Sequence, residues 1–503
     1  MFLLKQFHLK FITNKQTARL LKILNIFEQY PTRCLKSISS LSNSSARTIF
    51  SDMDVIKHTF ENSIHLTPSA SGYSFSIVDS LQYKEIKTSL LQNEPLFVVI
   101  ESIFYNKMLS VSALAHQLHL SESTLLRHIH KKRHLFTEYD LTLTISPFDF
   151  SGKEINIRQF FHDFYFESDI TPHTVFPTPT IKEITASLSE KLEFGECPPI
   201  SFEDFNYTLY ITLTRFYNNK CIEKLPDTLV PLDNKKKSQY EEIMGKAILQ
   251  HFEKDLNWEE KKYIYLITIC KRSVFNAHSE QAFQSVFQPS HQIERWTDRY
   301  LKILQSSPEE KATHRLFIRS FFLSTLLKYS LSPILTQHIT DVTLFSEQKF
   351  PAKYQKNQQF IHETVGKELV LTKRQAEDIC AALTLFTDSM LLVYSDYHKK
   401  IVFFLEGNRY ICENIQANAI KYLGRFHLLF FPNRYDISIV EYFKNNKVDI
   451  FVTNYKEYLM DELDVEASLL FEIIPTADNW NELFTVINSR STQLYSIIET
   501  DYE

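Results

Sequence analysis

Residues 111–134 read VSALAHQLHLSESTLLRHIHKKRH. Leu114, Ala115 and Leu118 recur at the spacing of one helix face, and after a break Leu125, Leu126 and Ile129 define a second. The pattern predicts two short amphipathic helices joined by a tight turn, with the small Ala115 letting them cross closely. Ser121 is suited to cap the second helix, because its hydroxyl can accept from a backbone N–H of the first turn. That helix would expose Ser123, Thr124, Arg127, His128, Lys131 and Lys132, with Arg133 just beyond. Hydroxyl and guanidinium groups near its start suit base edges, and the ammonium groups further along suit phosphates. Ser121 and Arg133 complete the set of candidate DNA-binding residues on this helix. His119 stands where such turns often carry glycine, and a left-handed conformation is less easily met by His. The turn is therefore expected to differ slightly.

Working outward, LTLTI (141–145) alternates as a strand, Pro147 to Gly152 supplies turn residues, and residues 153–157 are expected to return as a second strand. The result is a helix-turn-helix with a β-hairpin wing. The alternative is a helical hairpin whose exposed basic face binds nothing. Upstream, LKSISSLSNSSARTIFSDMDVIK (35–57) is a weaker copy. Ser42 and Asn43 make its turn, Asn43 tolerates a left-handed conformation, and the second helix carries Ser45, Arg47, Thr48, Ser51 and Lys57 as candidate DNA contacts. IHLTPSASGYSFSI (64–77), with Pro68 and Gly72 in its middle, would be the wing of this copy. KQTARLLKILNIFEQY (15–30) is an amphipathic helix expected to pack against the first head.

Charge separates this region from the rest. The chain of 503 residues carries 55 basic and 60 acidic residues, yet residues 1–136 hold 16 Lys/Arg against 9 Asp/Glu. A basic front on an acidic body fits a nucleic-acid-binding head on a regulatory trunk, since phosphate neutralisation needs a local cationic excess. An ordinary uneven surface is the other reading. The length points to three to five domains. Only 7 glycines occur, too dispersed for a P-loop or dinucleotide-binding turn, which excludes those nucleotide enzymes. No apolar run is long enough to span a bilayer, and the first residues lack a continuous apolar core and cleavage site. The expectation is a cytoplasmic protein without membrane association. Six cysteines lack metal-ligand or disulfide spacing and are expected to be buried thiols. No cofactor, metal site or catalytic residue is expected, so the chain is read as not an enzyme.

From about residue 164 to 395 the periodicity is helical. FNYTLYITLTRFYNNK (205–220) and THRLFIRSFFLSTLLKY (313–329) are long apolar helices with an Arg, each followed by a loop and a later apolar helix, at 258–272 and 372–386. Two related helical bundles are the economical reading. A helix histidine is more often a surface or satisfied core residue than a switch. Among the trunk histidines His314 is best placed, opening the second long helix beside Arg315. Beyond residue 396, apolar runs at 400–406, 427–432, 448–454 and 468–474 alternate with helical segments at 414–422, 437–446 and 479–489, although none separates the last two runs. This predicts a mostly parallel, covered sheet. The loop after its first strand, EGNRYIC, puts Cys412 well past the strand end, which favours a structural or dimerising module over a phospho-accepting one.

The expected fold is thus multidomain and mainly α: winged helix-turn-helix domains at 1–80 and 81–163, helical bundles at 164–286 and 287–396, and a C-terminal α/β domain at 397–503. These pieces in this order resemble the Mga/AtxA family of transcriptional regulators from low-GC Gram-positive bacteria, across essentially the whole chain. SGKEINIRQFF (151–161) is the most specific local match; LSESTLLRHI in the second head and RTIFSDM (47–53) in the first are also similar. The resemblance implies two winged heads on double-stranded DNA, two phosphotransferase-system regulation domains controlled by histidine phosphorylation from a phosphocarrier protein, and a domain similar to a phosphotransferase IIB subunit that supports a homodimer. It departs from the family in having no histidine between His173 and His251, which leaves His314 as the candidate phosphorylation site. The competing readings are a phosphotransfer carrier and an interaction scaffold, neither binding DNA.

Overall fold

Asn14 starts the first long helix by accepting, through its side-chain oxygen, from the N–H groups of Gln16 and Thr17. In this computed structural model the described residues are 7–69, 72–167, 175–191, 201–225, 229, 234–304, 306, 308, 310–338, 340–394, 399–424, 427–432, 438–459, 465 and 467–487. The chain divides into two units, one of residues 2–348 and 352–390 and one centred on residues 391–503.

The first unit opens with α1 (Phe7–Phe11), α2 (Lys15–Gln29), a short strand β1 (Thr32–Arg33), α3 (Leu35–Ser42) and α4 (Ala46–Phe60). The hairpin β2 (Ile64–Ser69) and β3 (Gly72–Ile77) follows, then α5 (Ser80–Ser89). The sheet is antiparallel in the order β1-β3-β2, with Leu66 opposite Phe75. Its inner face closes on Ile23, Leu24 and Phe27 of α2, Ile38 of α3, and Ile49, Met53 and Ile56 of α4, all buried. Fully burying each such side chain is worth roughly 1.5–3 kcal/mol, so this small head has a core of its own. Gly72 (φ +131°) is what lets β1 lie against β3: a Cβ there would stand 2.2 Å from the Arg33 carbonyl oxygen.

The second head comprises α6 (Pro95–Phe104), α7 (Val111–Gln117), α8 (Glu122–Lys132), α9 (His134–Thr137) and the hairpin β4 (Thr142–Ile145) and β5 (Phe148–Ser151). The return strand is not at residues 153–157 as the alternation predicted. It runs through the expected turn, pairing Leu143 with Phe150 and Ile145 with Phe148. Phe148 and Phe150 are buried on one face, so the aromatic alternation there outweighs the turn signal of Pro147. Gly152 (φ +153°) then ends the strand, and Glu154–His162 forms helix α10, burying Ile155, Ile157, Phe160 and Phe161. His119 adopts the left-handed conformation after all, with φ +54° against +53° at Asn43.

After a π-helical turn at Asp163–Glu167, the trunk contains α11 (Pro179–Lys191), α12 (Phe202–Tyr217), α13 (Asn234–Leu249), α14 (Trp258–Ile269), α15 (Ala277–Val286), α16 (His291–Leu304) and α17 (Lys311–Leu331). A 3-10 turn at Pro333–Thr336 leads to α18 (Thr340–Lys349), α19 (Pro351–Glu363) and α20 (Lys373–Tyr394). The long apolar helices fall where their periodicity placed them, at α12 and α17 with α14 and α20 following.

In the second unit, β6 (Lys400–Phe404), α21 (Arg409–Leu423), β7 (Leu428–Phe430), α22 (Ile439–Asn445), β8 (Ile450–Thr453), β9 (Ala467–Leu470) and α23 (Ala477–Ile487) build a fully parallel sheet ordered β7-β6-β8-β9. Ile401 and Phe403 face α21 and α23, whereas Val402 and Phe404 face α22. Cover on both faces explains why β6 reads as one apolar run.

The cysteines correct an expectation. Cys270 and Cys380 are buried, but Cys34 and Cys221 are exposed and Cys412 is half-buried; Cys197 lies outside the described residues. Cys34 is engaged locally, its sulfur accepting from Ser37 N at 3.4 Å at the start of α3.

Candidate nucleic-acid interface

The two heads share one local construction. Asn43 and His119 hold the left-handed turn; two residues on, Ser45 and Ser121 cap α4 and α8 through their Oγ atoms, which accept from Thr48 N and Thr124 N, each at 3.2 Å. Ile49 and Leu125 then bury the first turn, and Met53 and Ile129 the second. The Ser45 hydroxyl also meets Thr48 Oγ1 at 2.8 Å, and the Ser121 hydroxyl meets Thr124 Oγ1 at 2.9 Å and Ser123 Oγ at 3.1 Å. These hydroxyls organise the helix starts. Replacing such a cap by Ala costs about 1 kcal/mol.

On the outer face of α4, Arg47, Ser51 and Lys57 are exposed, and so is Phe50 at 56 %. On α8, Ser123, Arg127 and Lys131 are exposed, His128 and Lys132 are half-buried, and Arg133 is exposed just past the helix end. The structure brings α8 against the first head. Arg127, His128, Lys131 and Lys132 form one wall of a cleft of about 500 Å³, and Lys15, Arg19 and Lys22 of α2, with Ser42 and Ser44 of the first head's turn, form the other. The cations from α2 were missed by the sequence reading. Their spacing, i, i+4 and i+7 along one helix face, was the signal that could have found them.

Two of the cleft's cations are already engaged. Arg19 donates to both carboxylate oxygens of the buried Asp52, from Nη2 to Oδ1 at 2.9 Å and from Nε to Oδ2. Lys132 Nζ donates to the Lys10 carbonyl oxygen at 2.6 Å, and burial, then the charge of Lys131, hold it below the usual lysine range. Lys132 thus fastens α8 to α1. Arg127, Lys131, Lys15 and Lys22 supply the rest of the cleft's cationic edge.

The heads are joined to each other and to the trunk by hydrogen-bonded charges. Glu94, buried before α6, accepts from Thr13 N and Thr13 Oγ1 at 2.7 and 2.9 Å and from Asn14 N at 3.2 Å. Asp149 on β5 pairs with Lys220 at 2.6 Å, and Glu138 pairs with Arg374 of α20. Below the second head, Glu154 takes two 2.8 Å bonds from Arg215, and Arg158 forms a fork on the fully buried Glu260.

His314 opens the buried face of α17 at 1 % exposure, its Nδ1 2.8 Å from Ser306 Oγ, and burial lowers its affinity for a proton. Cys412 lies in the first turns of α21, where burial and then Glu406 raise its thiol above the usual range. Among the described residues no cluster of three or more His, Cys, Asp or Glu is placed to hold a metal, and no helix is long and apolar enough to cross a membrane.

Residues 79–165 match the family model of the Mga helix-turn-helix domain. The matched span runs from α5 to the turn after α10, so it contains the second head, and it bears out the resemblance to Mga/AtxA-type regulators there. No curated protein matches the chain. The match makes the chain a DNA-binding transcriptional regulator in general terms.

Proposed function

We propose that this chain is a regulator of the Mga/AtxA type that grips promoter DNA with both heads at once, without catalytic activity of its own. The observation that carries this is the cleft whose cationic walls come from α2 of one head and α8 of the other. A single wall would serve any basic helix; two converging walls match the spaced negative charge of a duplex backbone. The hairpins after each helix-turn-helix act as wings, and the exposed residues of α4 and α8 read the groove. Fixed caps and the Glu94 clamp set the spacing of the two heads before DNA arrives, so little ordering entropy is lost on binding.

Dimerisation belongs to the same reading, supported by apolar side chains left open on the C-terminal unit, among them Tyr410 at 80 % and Ile420 at 57 % exposure. Control by histidine phosphorylation would act at His314. A phosphoryl donor reaches His314 only if the start of α17 opens, and the same burial weakens the rival reading of a phosphotransfer carrier.

The test is a DNA-binding titration across salt, wild type beside Lys15→Gln/Arg127→Gln/Lys131→Gln. Removing one cation from a phosphate flattens the log-log salt slope by about 0.9. The expected variant binds weakly with a slope flatter by about 2 to 3; an unchanged slope rejects the cleft as the DNA seat.

A further inference from the structure

Where the second head meets the trunk, α10, α12, α14, the end of α17 and the segment after Pro333–Thr336 line a partly open cavity of about 270 Å³. Its lining holds the carboxylates Asp163, Glu167 and Asp204 and the cations Arg158, Lys271 and Lys328, and these are unevenly paired. On one side Asp204 accepts from His162 Nε2 at 2.8 Å and from Lys271 Nζ. Burial there is outweighed by these partners, which hold the carboxyl down to about 2. Asp163 accepts from Tyr139 Oη and from Gln159 Nε2, both at 2.7 Å. On the other side Lys328 and His338 also line the cavity. Neither has a carboxylate at ion-pair distance among the described residues. Burial and then the charge of Lys271 hold Lys328 below its usual range, and burial and then Lys328 push His338 down to about 4.

Two orphaned polar atoms lie in the same wall. Gln337 is 8 % exposed and Thr212 fully buried, and neither Gln337 Oε1 nor Thr212 Oγ1 has a hydrogen-bond partner. Buried acceptors without donors cost about 1–3 kcal/mol each, and a protein keeps such atoms where something else completes them. The Lys328 ammonium, with no carboxylate at ion-pair distance among the described residues, calls for an anion, the neutral His338 ring can add a hydrogen bond to it, and the amide oxygen calls for a donor. We propose that this cavity binds a small hydroxylated organic anion, its phosphate or carboxylate against Lys328 and His338 and a hydroxyl donating to Gln337 Oε1. A volume of about 270 Å³ suits a compound of a few carbons. The inference stands apart from DNA binding, because the four residues assigned to the ligand's side of the cavity, Thr212, Lys328, Gln337 and His338, lie outside the heads.

The full-length protein is titrated calorimetrically with glycerol 3-phosphate and, separately, with glycerate, using glycerol and chloride of equal ionic strength as controls. One or both anions bind, glycerol does not, and comparison of the two shows whether the anionic group is phosphate or carboxylate. Lys328→Met weakens binding at least tenfold and leaves the free protein as heat-stable as wild type or more so, since it removes an unmatched cation. Thr212→Val, which keeps the side-chain shape, provides a second variant and weakens binding severalfold. Lys131→Gln, in the heads, leaves the affinity unchanged. The proposal is overturned if neither anion binds beyond the chloride control, or if binding is undiminished in Lys328→Met and Thr212→Val.

Discussion

Glu94 accepts from both the backbone N–H and the hydroxyl of Thr13, at 2.7 and 2.9 Å, so the start of the first head's long helix is fastened to the start of the second head. The contact joins residues far apart in sequence, and it sets how the two walls of the basic cleft face each other.

Removing that acceptor leaves the Thr13 and Asn14 N–H groups without their partner. Glu94→Ala is expected to cost about 1–3 kcal/mol in urea unfolding and to weaken DNA binding while leaving its salt slope in place, because no cation is lost. A variant with wild-type stability and affinity would show that the clamp does not set the cleft.

Lys131 and Lys132 are neighbours with different work. Lys131→Ala should flatten the DNA salt slope by about 0.9 and shift stability by no more than about 0.5 kcal/mol. Lys132→Ala loses the bond to the Lys10 carbonyl and should cost about 1 kcal/mol of stability, with the smaller effect on the slope. Paired salt titrations and denaturant melts of the two variants check the division, and equal slope changes would contradict it.

Arg158 and Glu260 are buried together beneath the second head, at 1 % and 0 % exposure. Glu260→Ala strands the guanidinium and is expected to destabilise by about 3–5 kcal/mol, whereas Arg158→Met/Glu260→Leu should recover most of that loss, because an apolar pair avoids the desolvation penalty. Chemical denaturation of the single and double variants decides it; a double variant no better than the single would show that the pair's other hydrogen bonds, such as Arg158 to the Lys220 carbonyl, dominate.

Burial, only partly offset by His162 and the Tyr139 hydrogen bond, raises the Asp163 carboxyl to about 6. A folded-state value above the unfolded one of about 3.9 means that the folded protein holds this proton more tightly. Its contribution is therefore fully present below pH ~4 and lost as the pH rises through about 6. Asp204, held down to about 2, acts in the opposite sense, with stability present above pH ~4 and lost as the pH falls towards 2. Asp163→Asn should flatten the stability profile between pH ~4 and ~6.5 and leave the acid limb below pH ~4 intact. Thermal melts across pH check this, and an unaltered profile in the upper window would assign that slope to another group.

Much of the architecture was legible because it is local. Ser121 announced its helix by type and position, the LTLTI alternation announced β4, and the doubly apolar run at 400–404 announced a covered parallel strand. The return strand was misplaced because Pro147 and Gly152 read as one turn, while the Phe148 and Phe150 side chains that decide the matter find their place only against a core assembled from distant helices. The same holds at the candidate interface. Arg127 and Lys131 could be named from one helix, but Lys15 and Lys22 join them only when α2 comes to line the same cleft as α8.

The sequence by itself determined the two helix-turn-helix repeats, the helical trunk, the parallel terminal sheet and the basic character of the front, since periodicity, caps and charge are properties of short windows. Tertiary structure alone decided that Lys132 is held by the Lys10 carbonyl, that His314 is buried, that cations of both heads converge on one cleft, and that Lys328 and His338 line one cavity with no carboxylate at ion-pair distance among the described residues. These outcomes depend on which faces meet once the helices pack, and in a packed interior a polar group's role is set by the partner it meets there.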